Sequence, residues 1–207
     1  MEKKTSSPYF FGKCLLAIIA ANVILSIGDS LLKKLTGFSL PVPIEGTASA
    51  NPVILFLTVA VFPAIVEELL YRGVLYRYLR GHGVQFAAIG SSVIFGLVHM
   101  NFLQLIFAAF LGVVCCYIYE ATGKIRYSML LHLLNNSVLV LFGALPLSGR
   151  SIAAIEMVLG VVSVVVAAVY LVRRGLKTDI TPENKKNCLY FFTSIPMVIF
   201  TLACLGI

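Results

Sequence analysis

Two adjacent glutamates, Glu67 and Glu68, lie in an otherwise apolar stretch of the chain. A carboxylate buried at membrane depth costs roughly 3 kcal/mol even on lenient insertion scales, so it needs a compensating partner. Arg72 follows Glu68 by four residues, which places both side chains on one helical face in the favourable order for an ion pair. Glu67 points about 100° away from that face. We therefore expect Glu68 to have a structural role and Glu67 to be available for chemistry.

Two histidines and an amide occupy two further apolar stretches. Glu67 is fifteen residues before His82 and His99 is seventeen after it, so an antiparallel hairpin would bring both to similar depth. His132 and Asn136 are four residues apart and share one helical face. Counted along the helices, His132 lies about 10 Å too low to meet the other two, unless the second apolar helix, which carries Glu67, protrudes from the membrane. With that protrusion, the three stretches are predicted to converge on one site.

Several kinds of chemistry fit this set of side chains. A carboxylate removed from water is a stronger base, which suits it to activate a water molecule. Glu67, His99 and His132 could also be three zinc ligands with an open fourth position. No His-Glu-x-x-His helix is present, and we favour chemistry without a metal or other cofactor, with zinc as the alternative. Ion or proton transport is another alternative, because intramembrane Glu, Arg and His also mark ion pathways.

The composition indicates that lipid is the solvent for most of the chain. Of its 207 residues 59% are hydrophobic and only 12% are charged, which exceeds what a soluble core can hide. The sequence therefore predicts an all-α polytopic membrane protein that forms one helical domain over 1–207, with a polar cavity inside the membrane. About seven transmembrane helices are expected, between six and eight, over 9–28, 51–71, 84–100, 102–119, 127–147, 151–172 and 188–207.

The basic residues give the expected orientation. An amino terminus in the cytosol puts thirteen of the sixteen Lys and Arg residues on the inner side, as the positive-inside rule requires. These residues occur singly or in pairs between apolar runs, so the net charge of +7 does not indicate nucleic-acid binding. The five cysteines lack metal-type spacing and are expected to be small buried hydrophobic residues. The short loops favour a prokaryotic plasma membrane.

Pro63 is predicted to disturb the second apolar helix just before the two glutamates. A proline inside a helix leaves the carbonyl four residues earlier without its usual partner, here that of Val59. Such a bend often marks a cavity rather than a lipid-facing surface. The helical pattern of this segment continues through Arg72, Arg77 and Arg80, so its end is expected to protrude into the cytosol.

Three strings in this order resemble the motifs of the CAAX-protease and bacteriocin-processing family of intramembrane endopeptidases. The first runs from Glu67 to Arg72, the second from Phe95 to His99, and the third from His132 to Asn136. The family motifs are a double glutamate followed by arginine, a phenylalanine ahead of a histidine, and a histidine three residues ahead of an asparagine. The resemblance covers about residues 50–145, which we take as the catalytic core.

The resemblance implies hydrolysis of a peptide bond in a membrane-associated or lipid-modified protein or small peptide. Prenylated proteins are one possible class of substrate. It implies that Glu67 and His99 activate water, and that His132 and Asn136 bind the oxyanion. Glu68, Arg72 and Phe95 then have supporting roles. A carrier, or a non-catalytic immunity or scaffold protein, remains the alternative from another functional class.

Overall fold

The computed structural model of the protein describes residues 8–37, 51–100, 102–144, 158 and 193–205. Within these ranges the regular elements are helices and no strand occurs, so the predicted all-α class is confirmed there. We number the helices in chain order: α1 Pro8–Thr36, α2 Pro52–His82, α3 Val84–Leu97, α4 Phe102–Thr122, α5 Ile125–Ala144 and α6 Ile195–Leu205.

Among the described residues, three stretches are long and apolar enough to cross a membrane, namely Phe10–Thr36, Pro52–His82 and Gln104–Thr122. Helix α3 is apolar but shorter than a full span. Large hydrophobic side chains are exposed along these helices, as expected for surfaces that face lipid. The protein is therefore an integral membrane protein.

The expected number of about seven spans is not confirmed. The predicted run at 151–172 lies outside the described residues except for residue 158, and the run at 188–207 is described only from residue 193 to residue 205. Four cysteines lie in the described part of the chain, and all four are buried free thiols, as expected: Cys14, Cys115, Cys116 and Cys204. Cys188 lies outside it.

Helix α2 is continuous but contains two π-helical segments. It begins at Pro52 after the Asn51 side chain accepts a hydrogen bond from the Val53 backbone N–H, at 2.9 Å. The segments Phe56–Val61 and Leu69–Tyr76 are π-helical, and the α-helical segment Phe62–Glu68 lies between them. π-helical turns are rare and often occur at functional sites.

Helices α3 and α4 form a closely packed antiparallel hairpin because small residues face each other. A Cβ added at Gly96 would lie 2.5 Å from the Leu105 carbonyl oxygen and 3.1 Å from the Ala109 Cβ. A Cβ at Gly112 would lie 2.8 Å from the Ser92 Cβ. Such close helix contacts are typical of membrane interiors, where packing rather than water exclusion drives association. The packing of this hairpin determines the position of His99, which follows the end of α3.

The buried core joins five helices around one aromatic ring. Phe95 of α3 is 1% exposed and packs with Tyr71 of α2, Leu111 of α4 and Leu131 of α5. Helix α1 contributes Ile18 to the same cluster. The polar residues singled out in the sequence lie next to this core.

Candidate active site

The carbonyl four residues before Pro63 has a hydrogen-bond donor from another helix. The Val59 carbonyl accepts a hydrogen bond from the Asn136 side-chain amide of α5, at 3.0 Å. Asn136 thus replaces the intrahelical donor that a proline removes from the carbonyl four residues earlier. This contact joins α5 to α2 at a point eight residues, or roughly two turns, before Glu67.

Glu68 and Arg72 form the predicted ion pair. The Arg72 Nη1 lies 2.9 Å from the Glu68 Oε1, and the side chains are 1% and 0% exposed, respectively. The Arg72 guanidinium also lies over the Phe95 ring, 4.8 Å from its centroid. A cation at that distance from a ring face is attracted by it, and the attraction is stronger away from water. Glu68 is therefore held by its neighbours, as a structural carboxylate should be.

His132 lies between the two glutamates. Its Nδ1 is 3.1 Å from the Glu68 Oε1, and its Nε2 is 3.7 Å from the Glu67 Oε2. Because an ionised carboxylate only accepts hydrogen bonds, Nδ1 is the donor to Glu68. The distance to Glu67 is too long for a direct hydrogen bond, so Nε2 can still interact with another group.

Of the two adjacent glutamates, Glu67 has the more exposed carboxylate. Its side chain is 32% exposed, whereas that of Glu68 is 0% exposed. His99 and His132 both lie close enough to interact electrostatically with Glu67. The expected convergence of the three polar stretches is therefore present in the fold.

His99 is oriented by its own helix end. Its Nδ1 lies 2.8 Å from the Phe95 carbonyl oxygen, which can only accept, so Nδ1 carries the hydrogen. In the neutral ring Nε2 is then an acceptor. The Phe95 ring packs edge-on against both histidines, with centroid distances of 5.1 Å to His99 and 5.8 Å to His132. Phe95 therefore contacts both imidazole rings.

A relay of side-chain amides connects α1 to the site, and the sequence reasoning did not find it. Asn22 Nδ2 donates to Asn135 Oδ1 at 3.1 Å, and Asn135 Nδ2 donates to Asn136 Oδ1 at 3.0 Å. Asn136 in turn donates to Val59. The presence of Asn22 in the apolar run of α1 could have indicated this relay, because polar side chains in membrane helices often form hydrogen bonds to other helices.

The proposed zinc ligands do not gather as a metal site. Over the residues described, no group of three or more His, Cys, Asp or Glu side chains could hold a metal ion. Glu67 Oε2 lies 3.7 Å from His132 Nε2. The Nδ1 atoms of His132 and His99 are bonded to Glu68 and to the Phe95 carbonyl, so a metal could bind these rings only through Nε2. The polar residues found here are a partly exposed carboxylate, two histidines whose Nδ1 atoms are already bonded, and an amide bonded to the neighbouring helix.

The fold and site define a helical membrane protein with a buried acid, histidine and amide cluster. Residues 49–138 match the family model described as type II CAAX prenyl endopeptidase Rce1-like. The match confirms the resemblance to the CAAX-protease and bacteriocin-processing family. It contains all three motifs, while α1 and α6 lie outside it. Searches of curated proteins and of solved structures found no match.

Proposed function

We propose that this protein is an intramembrane endopeptidase that uses Glu67 to activate a water molecule. The observation that carries the proposal is the division of roles between the two glutamates. Glu68 is occupied by Arg72 and His132, whereas Glu67 is partly exposed and faces two imidazoles. A family match at the level of CAAX-type intramembrane proteases supports the same reaction class.

The attacking water would donate one hydrogen to Glu67 and the other to His99. Nε2 of His99 is suited to accept because Nδ1 already donates to the Phe95 carbonyl. Two acceptors fix the orientation of the water, so that a lone pair faces the carbonyl carbon of the substrate. Glu67 then takes the proton as the C–O bond forms, and delivers it to the leaving amine when the C–N bond breaks.

The oxyanion of the tetrahedral intermediate would be bound by His132 and Asn136. The Asn136 side-chain nitrogen has two hydrogens, and the bond to Val59 uses only one of them. A protonated His132 keeps Nδ1–H on Glu68 and presents Nε2–H toward the space beside Glu67. Donors held in place before reaction stabilise developing charge without reorganisation, and each is typically worth about a hundredfold in rate.

The substrate would be a membrane-associated or lipid-modified protein or peptide, with prenylated chains as one class to test. The site lies among membrane helices, so a substrate must reach it from lipid or from the membrane surface. The distribution of basic residues favours an amino terminus in the cytosol, and the short chain and small loops favour a prokaryotic plasma membrane. We treat residues 50–145 as the catalytic core of a single helical domain.

The test is cleavage of membrane-anchored reporter peptides, with and without prenyl groups, by the purified protein in lipid. Glu67→Gln is expected to abolish cleavage while leaving the protein folded. Glu120→Gln is the matched control, because this carboxylate pairs with Arg80 near the end of α2, away from the cluster. Since no step requires a metal, cleavage is expected to persist in a strong zinc chelator.

Cleavage by Glu67→Gln at the wild-type rate would refute the role assigned to that carboxylate. If the folded wild-type protein cuts no peptide but conducts a solute flux that Glu67→Gln stops, the carrier hypothesis replaces ours. Loss of cleavage in chelator, restored by added zinc, would replace the water-activation scheme with metal chemistry.

A further inference from the structure

A groove with a cationic end and an apolar wall lies between the end of α2 and the turn that joins α4 to α5. Its volume is about 530 Å³. The cationic end contains Arg77, Lys124 and Arg126, and the apolar wall is formed mainly by Leu69 and Ile125. No carboxylate lines the groove, as far as the described residues extend.

The three cations differ from their basic neighbour Arg80. Arg80 donates to Glu120, which also accepts a hydrogen bond from the Tyr76 hydroxyl at 2.9 Å. No ion pair joins Arg77, Lys124 or Arg126 to a carboxylate within the ranges that the structure describes. The groove therefore concentrates positive charge that its own walls do not neutralise, which is complementary to an anionic ligand.

The position of the groove indicates where that ligand comes from. Leu69 directly follows the intramembrane glutamates, and Arg77 lies eight residues later, about 12 Å further along the helix. The apolar wall is thus at the depth of acyl chains, while the cations lie near the end of the span, where headgroups are found. A free inorganic anion would make no use of the apolar wall.

We propose that this groove binds an anionic phospholipid, with its phosphate on Arg77, Lys124 and Arg126 and an acyl chain along Leu69 and Ile125. The site is distinct from the peptidase cluster, which uses none of these residues. Gly73 lines the groove between its two ends. A Cβ there would lie 3.6 Å from Ile125 Cδ1, so a longer side chain at this position would extend into the space for the acyl chain.

The test is a lipid titration of the full chain by native mass spectrometry, with phosphatidylglycerol and phosphatidylcholine as probes. The protein bears Glu67→Gln, so that the measurement does not depend on peptide cleavage. With no change in the groove, this protein is expected to retain phosphatidylglycerol in preference to phosphatidylcholine. Each cation near a membrane surface is worth about fivefold in affinity for an anionic lipid, so Arg77→Gln with Arg126→Gln should weaken binding about 30-fold.

Lys33→Gln with Lys34→Gln is the matched control, because it removes two exposed positive charges at the end of α1. It is expected to change phosphatidylglycerol binding less than twofold. Equal losses in the two double variants, or equal retention of both lipids by the wild-type groove, would overturn the proposal. Complete displacement of the lipid by millimolar inorganic phosphate would also overturn it, since phosphate alone would then be the ligand.

A second variant keeps the proposal testable if the arginine variants fail to fold. Gly73→Leu leaves all three cations in place and is expected to reduce retention of phosphatidylglycerol at least tenfold. Gly73→Ala, whose methyl group makes only ordinary contacts, should bind as the wild type does. Unchanged retention by Gly73→Leu would show that no acyl chain occupies the groove.

Discussion

Replacing Arg72 by methionine should destabilise the protein more than any comparable change of an exposed arginine. Both side chains of the Glu68–Arg72 pair are at most 1% exposed, and their closest atoms are 2.9 Å apart. Removing one partner leaves an uncompensated buried charge, which typically costs about 3–5 kcal/mol. Methionine fills similar space, so the loss should come from Glu68 rather than from a cavity. We expect Arg72→Met to lower the free energy of unfolding by that amount.

The pair formed by Arg80 and Glu120 provides the comparison. Its side chains are 50% and 32% exposed, so Arg80→Met should cost only about 0–1 kcal/mol. Unfolding would be followed in mixed micelles by circular dichroism during titration with sodium dodecyl sulfate. A double variant, Glu68→Gln with Arg72→Met, should recover at least half of the loss, because it no longer buries a lone charge.

Two results would refute this reasoning. Equal destabilisation by Arg72→Met and Arg80→Met would mean that burial does not determine how much each ion pair contributes to the free energy of unfolding. A double variant no more stable than Arg72→Met alone would mean that the loss does not arise from the unpaired Glu68 carboxylate. In that case the contact of the guanidinium with the Phe95 ring would be the main contribution of Arg72.

The remaining predictions concern the amide relay and the helix hairpin. Asn136→Ala should lower kcat about a hundredfold in the peptide assay, as expected for loss of an oxyanion donor. Asn22→Leu should lower kcat about tenfold with KM unchanged. The reason is that the relay loses one hydrogen bond, which leaves Asn136 less well oriented. A kcat equal to that of the wild type would exclude a role for α1 in catalysis. Gly96→Ala should cost about 1–3 kcal/mol of stability in the same detergent titration, because the new Cβ would meet the Leu105 carbonyl oxygen at 2.5 Å. Gly28→Ala, with nothing within 4 Å of the added Cβ, should cost nothing, and equal effects of the two changes would contradict the packing argument.

Contacts within one helix were predictable from spacing alone. The pairing of Glu68 with Arg72 follows from a separation of four residues, and it is present at 2.9 Å. The open carbonyl at Val59 follows from the position of Pro63 in the same way. Both predictions use only the geometry of a regular helix, which the local sequence determines.

Contacts between helices were predictable only in part. Asn22 and Asn135 are 113 residues apart, and nothing in their spacing indicates that α1 lies against α5. The contact of His132 with Glu68 was also not foreseen, because His132 was expected to bind the oxyanion, or zinc together with Glu67, and Glu68 was expected to pair with Arg72. Helix periodicity gives the face on which a side chain lies, but the partner depends on how the helices pack.

The height of His132 relative to Glu67 depends on how α2 and α5 pack, and counting residues along each helix separately gave the wrong height. Counting from the turn at His82 places Glu67 about 10 Å above His132, yet the two side chains are 3.7 Å apart. A Cβ at Gly73 would lie 3.6 Å from Ile125 Cδ1, so the start of α5 is close to the level of Gly73, nine residues before His82. From that level Glu67 is six residues away and His132 is seven, so the two side chains reach similar height. The end of α2 therefore continues past the start of α5, and this extension removes the apparent mismatch. Arg77 of the groove lies on this extension, so the depth of the proposed lipid site and that of the peptidase cluster both depend on how α2 packs against α5.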